Sequence, residues 1–272
     1  MELSLLLQQQ ELDLASRRNC LGLVVFLISL AQVSIAGSPV EDAISATFRI
    51  FSPKNSGTAF LVATDDEQQG RSAMLVTAAH VLEESPDADW KIVLRTRKPD
   101  STIERLEWSF PIREEDQPRW KKHGDQDIAA LRIELPKDAE VKPLALDQIA
   151  DESFVREGKV AVGDSILVPG FPAQLEANDE GFPVVRRGII ATHPLWPVKS
   201  ASTILANCQT WGGDSGAPVF AIHEGKPVVV GLIHGMQRQT DKVTSPFEER
   251  TIHTPLGLAI VIQAPFIREV IE

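Results

Sequence analysis

The chain has no tyrosine among its 272 residues and only two cysteines, Cys20 and Cys208. The missing tyrosine carries no inference. Two cysteines cannot build the disulfide framework of a small secreted scaffold, nor the paired Cys/His spacing of a zinc site. Basic residues are scarce as well: 27 Lys and Arg stand against 38 Asp and Glu, for a formal charge of -11. So acidic a chain lacks the basic groove that neutralises phosphates, which excludes nucleic acid as an expected partner. The acidic balance is read as a solubility feature. There is no internal repeat and no low-complexity tract. What remains, 43% hydrophobic and 24% charged, is an ordinary globular composition. The length suits one large domain or two small ones sharing a core.

The chain also lacks an apolar run long enough to span a bilayer. "CLGLVVFLISLA", from Cys20 to Ala31, falls short of the roughly 20 residues required. Arg17 and Arg18 precede it, and "QVSIAGSP" follows, with small residues at Ser34 and Ala36. A charged start, a short apolar core and a small-x-small exit form the pattern of a secretory signal. Residues 1–36 are therefore expected to be a leader cleaved after Ala36, the alternative being an anchor that stays attached. The mature chain would be exported to a periplasm or the medium, meeting the membrane only in transit. Cys208 would then be its single thiol, a buried small apolar residue with no disulfide partner.

What is present is a series of short β-rich runs. "GTAFLVA" (57–63), "AMLVTAA" (73–79), "KIVLRT" (91–96), "ERLEWSF" (104–110) and "DIAALRI" (127–133) make a first set. A Pro- and charge-rich passage follows, and then a second set: "DSILVPGF", "VVRRGIIAT", "STILAN", "APVFAI", "PVVVGLIH" and "LGLAIVIQ". Strands at this spacing with Gly, Pro and Asp punctuation predict an all-β barrel or sandwich, and two sets predict two packed β-domains. "APFIREVIE" ends the chain as a helix, with Pro265 in its first turn and Phe266, Ile267, Val270 and Ile271 on one face.

The chemistry centres on "TWGGDSGAPVF", Thr210 to Phe220, where glycines flank Ser215. A serine hydroxyl is a weak nucleophile and needs a base within hydrogen-bond reach. Of the six histidines, His80 follows a strand in "LVTAAHVL", among small residues that allow a tight turn. Asp127 stands at the mouth of the apolar run "DIAALRI". A carboxylate buried there needs a hydrogen-bond partner, and an imidazole would supply one. Asp125, two residues earlier, is the competing candidate. His123, His193, His223 and His253 are read as surface or loop residues.

"TAAHV", "DIAALRI" and "GDSGAPV" resemble the three active-site motifs of the trypsin/chymotrypsin family of serine endopeptidases, in the family's order. His80 and Asp127 are 47 residues apart, and Asp127 and Ser215 are 88 apart, close to the family's spacing. The resemblance runs from about Thr47 to Val270. It implies two packed six-stranded antiparallel Greek-key barrels with a short C-terminal helix. The protease domain would cover 37–272: a barrel over about 43–135, a linker over about 136–157, a barrel over about 158–263 and the helix over about 264–272. It further implies Ser215 as nucleophile, His80 as base and Asp127 as its orienting carboxylate. The N–H groups of Gly213 and Ser215 would form the oxyanion hole. Polypeptides would be the substrates, and no cofactor or metal is expected.

The departures from animal members are informative. No Ile-Val-Gly-Gly start is present to pair with Asp214, so an internal arginine, Arg186 or Arg187, is the expected partner. The chain looks more like bacterial exported members, such as the high-temperature-requirement proteases and the glutamyl endopeptidases. The former usually read Gly-Asn-Ser-Gly-Gly-Pro and carry PDZ domains; here Asp214 and Ala217 differ and a PDZ domain is not expected. Gln209 stands where trypsin has its pocket aspartate, which disfavours cleavage after Arg or Lys. Thr210 and His234 match the residues with which glutamyl endopeptidases hold an acidic side chain, although the register is displaced by one. Acidic and small or apolar preferences both stay open.

Overall fold

The computed structural model describes residues 38–64, 72–245 and 247–272, so the expected leader and Cys20 lie outside the described residues. Residues Ser38–Glu272 form one unit. It opens with helix α1 (Pro39–Ser45), set by a capping box. The Ser38 hydroxyl accepts from the Val40 N–H, and the Glu41 carboxylate accepts from the Ser38 N–H. Among the described residues no helix is long and apolar enough to cross a membrane.

The N-terminal half begins with β1 (Thr47–Phe51), β2 (Ser56–Ala63), β3 (Ser72–Thr77), the short helix α2 (Ala79–Glu83), β4 (Asp89–Arg97) and β5 (Ile103–Pro111). A small ribbon of β6 (Arg113–Glu114) and β7 (Gln117–Pro118) precedes β8 (Lys121–Lys122) and β9 (Ala129–Glu134). Apart from that ribbon, the strands make one seven-stranded antiparallel sheet in the order 5-4-1-2-3-9-8. The all-β expectation therefore holds, with seven strands in the main sheet of this half where six were expected. β2 is buried from Gly57 to Val62, as its unbroken apolar run demands. Phe48, Ile50, Phe60, Leu61, Leu75 and Trp90 are fully buried.

The passage 136–157 carries helix α3 (Glu152–Arg156), whose first turn is capped by the Asp151 carboxylate accepting from the Phe154 N–H at 2.7 Å. This passage fastens to both halves. Leu144 exchanges backbone hydrogen bonds with Leu61 and Ala63, and the Ala150 N–H donates to the Val229 carbonyl.

The C-terminal half is a closed six-stranded barrel. Its strands are β10 (Ser165–Gly170), β11 (Val184–Ile190), β12 (Thr203–Asn207), β13 (Pro218–His223), β14 (Lys226–Ser245) and β15 (Glu248–Gln263), in the order 10-11-12-15-14-13. Closure leaves no exposed edge within the barrel. Helix α4 (Pro265–Ile271) then packs Phe266, Ile267 and Val270 into the core. β14 and β15 outrun the barrel. Eight further rungs, from Arg238↔Pro255 to Ser245↔Glu248, continue as a two-stranded arm. The described residues from Gln237 to Leu256 are all exposed.

Candidate active site

Strand β3 ends at Thr77 and the chain turns at once into α2, which places His80 at the rim of the first sheet. Asp127 lies just before β9, the neighbour of β3, so adjacent strand ends deliver both side chains. The His80 ring meets Asp127 through Nδ1, 2.5 Å from Oδ2, while the His80 backbone N–H donates to Oδ1 at 2.8 Å. Of the two candidate carboxylates, Asp127 is the one that meets the His80 ring. Asp125 is exposed, and its own N–H donates to the ring of His123.

A third donor reaches the same carboxylate. His234 Nδ1 lies 2.7 Å from Asp127 Oδ2, and its ring stands edge-on to His80 with centroids 5.9 Å apart. Burial works against ionisation of Asp127, but the hydrogen bonds from His234 and His80 outweigh it and hold the carboxyl well below the ordinary range. The hydrogen bond to Asp127 raises the His80 pKa, against the opposing pull of burial. Among the described residues these three side chains are the one group close enough to share a metal ion. Their separations, 2.5 and 2.7 Å, are those of hydrogen bonds.

The loop of Gly213, Asp214 and Ser215 is locked from both halves. The Thr58 N–H donates to the Ser215 carbonyl at 3.0 Å, and the Thr58 hydroxyl donates to the Gly213 carbonyl at 2.8 Å. Gly216 has φ +87, and a Cβ there would lie 2.2 Å from the Thr58 carbonyl oxygen and 2.9 Å from the Ala78 nitrogen. Gly213 has φ +97, and a Cβ would lie 2.5 Å from the Phe171 carbonyl oxygen. Glycine is required at both for conformation and for space. Among the described residues, the N–H groups of Gly213 and Ser215 have no acceptor, and no hydrogen bond joins Ser215 Oγ to His80.

Asp214 is fully buried beneath this loop. Arg186, on β11, grips it with both guanidinium arms, each at 2.6 Å, and the Trp211 N–H adds a third bond at 2.8 Å. Arg186 also donates to the Gln209 carbonyl at 2.8 Å. Burial pushes the Asp214 carboxyl up, and the arginine fork opposes it. Of the two arginines considered from the sequence, Arg186 is thus the partner, and Arg187 instead donates to the Ser165 hydroxyl.

Gln209 and Thr210 line a cavity of about 130 Å³ together with Trp211, Met236, Pro255, Gly257 and Leu258. His234 is not part of that lining, because its ring is turned to Asp127. A register shift in β14 between Ile233 and Gly235 accompanies this placement, and such bulges re-aim side chains. The Thr210 hydroxyl is buried and has no partner among the described residues. A larger cavity, about 370 Å³, surrounds Arg95, Arg97 and Phe182 and contains none of the residues singled out from the sequence.

The model of the trypsin-like peptidase domain matches residues 57–232. The chain belongs to this family. Two solved structures are similar to this trypsin-like peptidase domain. One is the crystal structure of Rv3671c from M. tuberculosis H37Rv, a serine-to-alanine mutant in an inactive form. It is 15% identical at a TM-score of 0.48, covering 88% of this chain and 91% of that one. A second structure, of the Rv3671c protease in an inactive form, is 14% identical at 0.47, covering 85% and 90%. No curated protein matches the peptidase.

Proposed function

We propose that this peptidase is an exported serine endopeptidase working through His80, Asp127 and Ser215. The observation that carries the reading is the pair of uncommitted N–H groups on Gly213 and Ser215, held beside the serine in a loop that cannot relax. Ser215 Oγ attacks the scissile carbonyl while His80 takes its proton. The tetrahedral oxyanion is stabilised by those two amides, each worth about 3 kcal/mol. His80 then passes the proton to the leaving amine, and water attacks the acyl-enzyme by the same route in reverse. Asp127 keeps the imidazole in one tautomer, and the Nδ1–H of His234 holds Asp127. Export rests on the leader pattern in residues 1–36.

The cavity at Gln209 and Thr210 is the substrate pocket of this reading. It lies well under the roughly 300 Å³ of small-molecule sites, and Met236, Pro255 and Leu258 make its wall largely apolar. With His234 directed elsewhere, no cation among the described residues lines it, which favours a small apolar or hydroxyl-bearing side chain over an acidic one. A second reading, a silent relative that binds peptides, draws on the missing hydrogen bond between Ser215 and His80. Such contacts are often loose before substrate arrives. Labelling residues 37–272 with a fluorophosphonate, against Ser215→Ala, separates the two. Labelling of the unaltered chain alone is expected, and an unlabelled chain overturns the peptidase mechanism. A peptide-library digest then reads the preference.

A further inference from the structure

Arg95, on β4, is the one arginine that is buried among the described residues. Its guanidinium lies between two phenyl rings, 4.6 Å from the centroid of Phe48 and 4.5 Å from that of Phe182. Among the described residues its hydrogen bonds all go to neutral carbonyls. Nη1 donates to Gly181 at 3.1 Å, and Nη2 to Ile44 and Thr47 at 3.5 and 3.4 Å, while Nε finds no acceptor. Other sheltered arginines are served differently: Arg186 holds Asp214, and Arg49 and Arg105 share Glu176. Burial pushes the Arg95 pKa down to about 10, and the charge of Glu140 opposes this only in part. A buried cation with no carboxylate in hydrogen-bond reach is a costly arrangement.

Arg95 lines the cavity of about 370 Å³, a volume within the range of small-ligand sites, roughly 300–1,000 Å³. The lining is mostly cationic: Arg97 and Lys142 join Arg95, against one carboxylate, Glu140. In a chain of net charge -11 this is a local reversal of sign. Arg97 grips a single oxygen of Glu140, from Nε at 3.1 Å and Nη2 at 2.7 Å, and Lys142 reaches Asp42 at 2.6 Å. Such exposed pairs are worth little and exchange readily. Ile103, Val141 and Phe182 supply the apolar part of the wall.

We propose that this cavity binds a singly charged carboxylate carried on an apolar body, with the carboxylate between Arg95 and Arg97 and the body against Ile103, Val141 and Phe182. None of His80, Asp127 and Ser215 lines the cavity, so the site stands apart from the peptidase reading. The paired oxygens of a carboxylate suit guanidinium donors. The charge of Glu140 on the same wall weighs against a doubly charged phosphate. Two sources share the favoured chemistry: a free organic acid, and the C-terminal carboxylate of a short apolar peptide.

Hexanoate and N-acetyl-Val-Leu with a free C-terminus serve as probes, each beside its amide, with inorganic phosphate as a plain anion. Binding to the chain is read by titration calorimetry. At least one acid is expected to bind one-to-one, about tenfold or more tighter than its amide and than phosphate, and the tighter acid names the source. Arg97→Gln should weaken that binding about tenfold. Glu140→Gln, which frees Arg97 and removes the competing charge, should tighten it about threefold or more. Both residues are exposed, so the fold survives changes that would be disruptive at Arg95 itself, and circular dichroism checks this. An acid no tighter than its amide overturns the proposal, as does phosphate tighter than either acid. An acid bound at Ser215 instead would ignore both substitutions and slow fluorophosphonate labelling, which also overturns it. Binding that follows Arg97 and Glu140 stands whether or not Ser215 is reactive.

Discussion

The nucleophile loop and the β14–β15 arm are neighbours built on opposite terms. The loop has almost no freedom. Two glycines sit where a Cβ would strike backbone, a buried carboxylate is gripped from β11, and Thr58 ties the loop to the other half of the molecule. The arm has eight rungs of strand pairing and no core. One region needs its residues individually, and the other needs only to remain a ribbon.

That contrast can be pressed from the largest effect downward. Arg186→Met leaves the Asp214 carboxylate buried and unpaired. It is expected to cost about 3–5 kcal/mol in urea unfolding, with activity falling as the loop loses its support. Gly216→Ala forces a Cβ onto the Thr58 carbonyl and should cost about 2–3 kcal/mol, read as a fall in Tm. His234→Ala removes one hydrogen bond to a charged group and should lower kcat about tenfold to a hundredfold with KM nearly unchanged. His234→Asn should recover part of the loss if its amide reaches Asp127. The pH profile of kcat/KM sharpens the same corner. His80 must be neutral to act, and its pKa is raised, so activity should fall on acidification through an inflection above the ordinary imidazole value of about 6.5. Phe247→Ser, at the almost fully exposed arm tip, should change stability by under about 0.5 kcal/mol. A large loss there would mean the arm is less independent than its exposure indicates.

The same division governs what the sequence reveals. Ser215, His80 and Asp127 stand out because each adjoins an apolar strand whose run of buried residues is visible, and because their order and spacing match a family. The arginine partner of Asp214 could be narrowed to two adjacent residues, but only the pleat of β11 selects Arg186. β1 went unseen because five residues, "TFRIF", are too few to show a period. The arm went unseen because strands with no buried face carry no hydrophobic alternation. Its pairing is set by continuation from β14 and β15 rather than by its own residues. The sequence reading set His234 beside the pocket with its register displaced by one, and the structure turns its ring to Asp127 next to the register shift after Ile233, a detail that counting along a strand does not reveal.

The Arg186–Asp214 fork has a consequence for timing. Both partners belong to the folded body, so on the proposed reading the loop's order would arrive with folding itself rather than with a cut elsewhere in the chain. On the proposed reading, such an enzyme has no latent interval between synthesis and competence. Restraint would have to come from where the protein is sent and from which chains are loose enough to reach it.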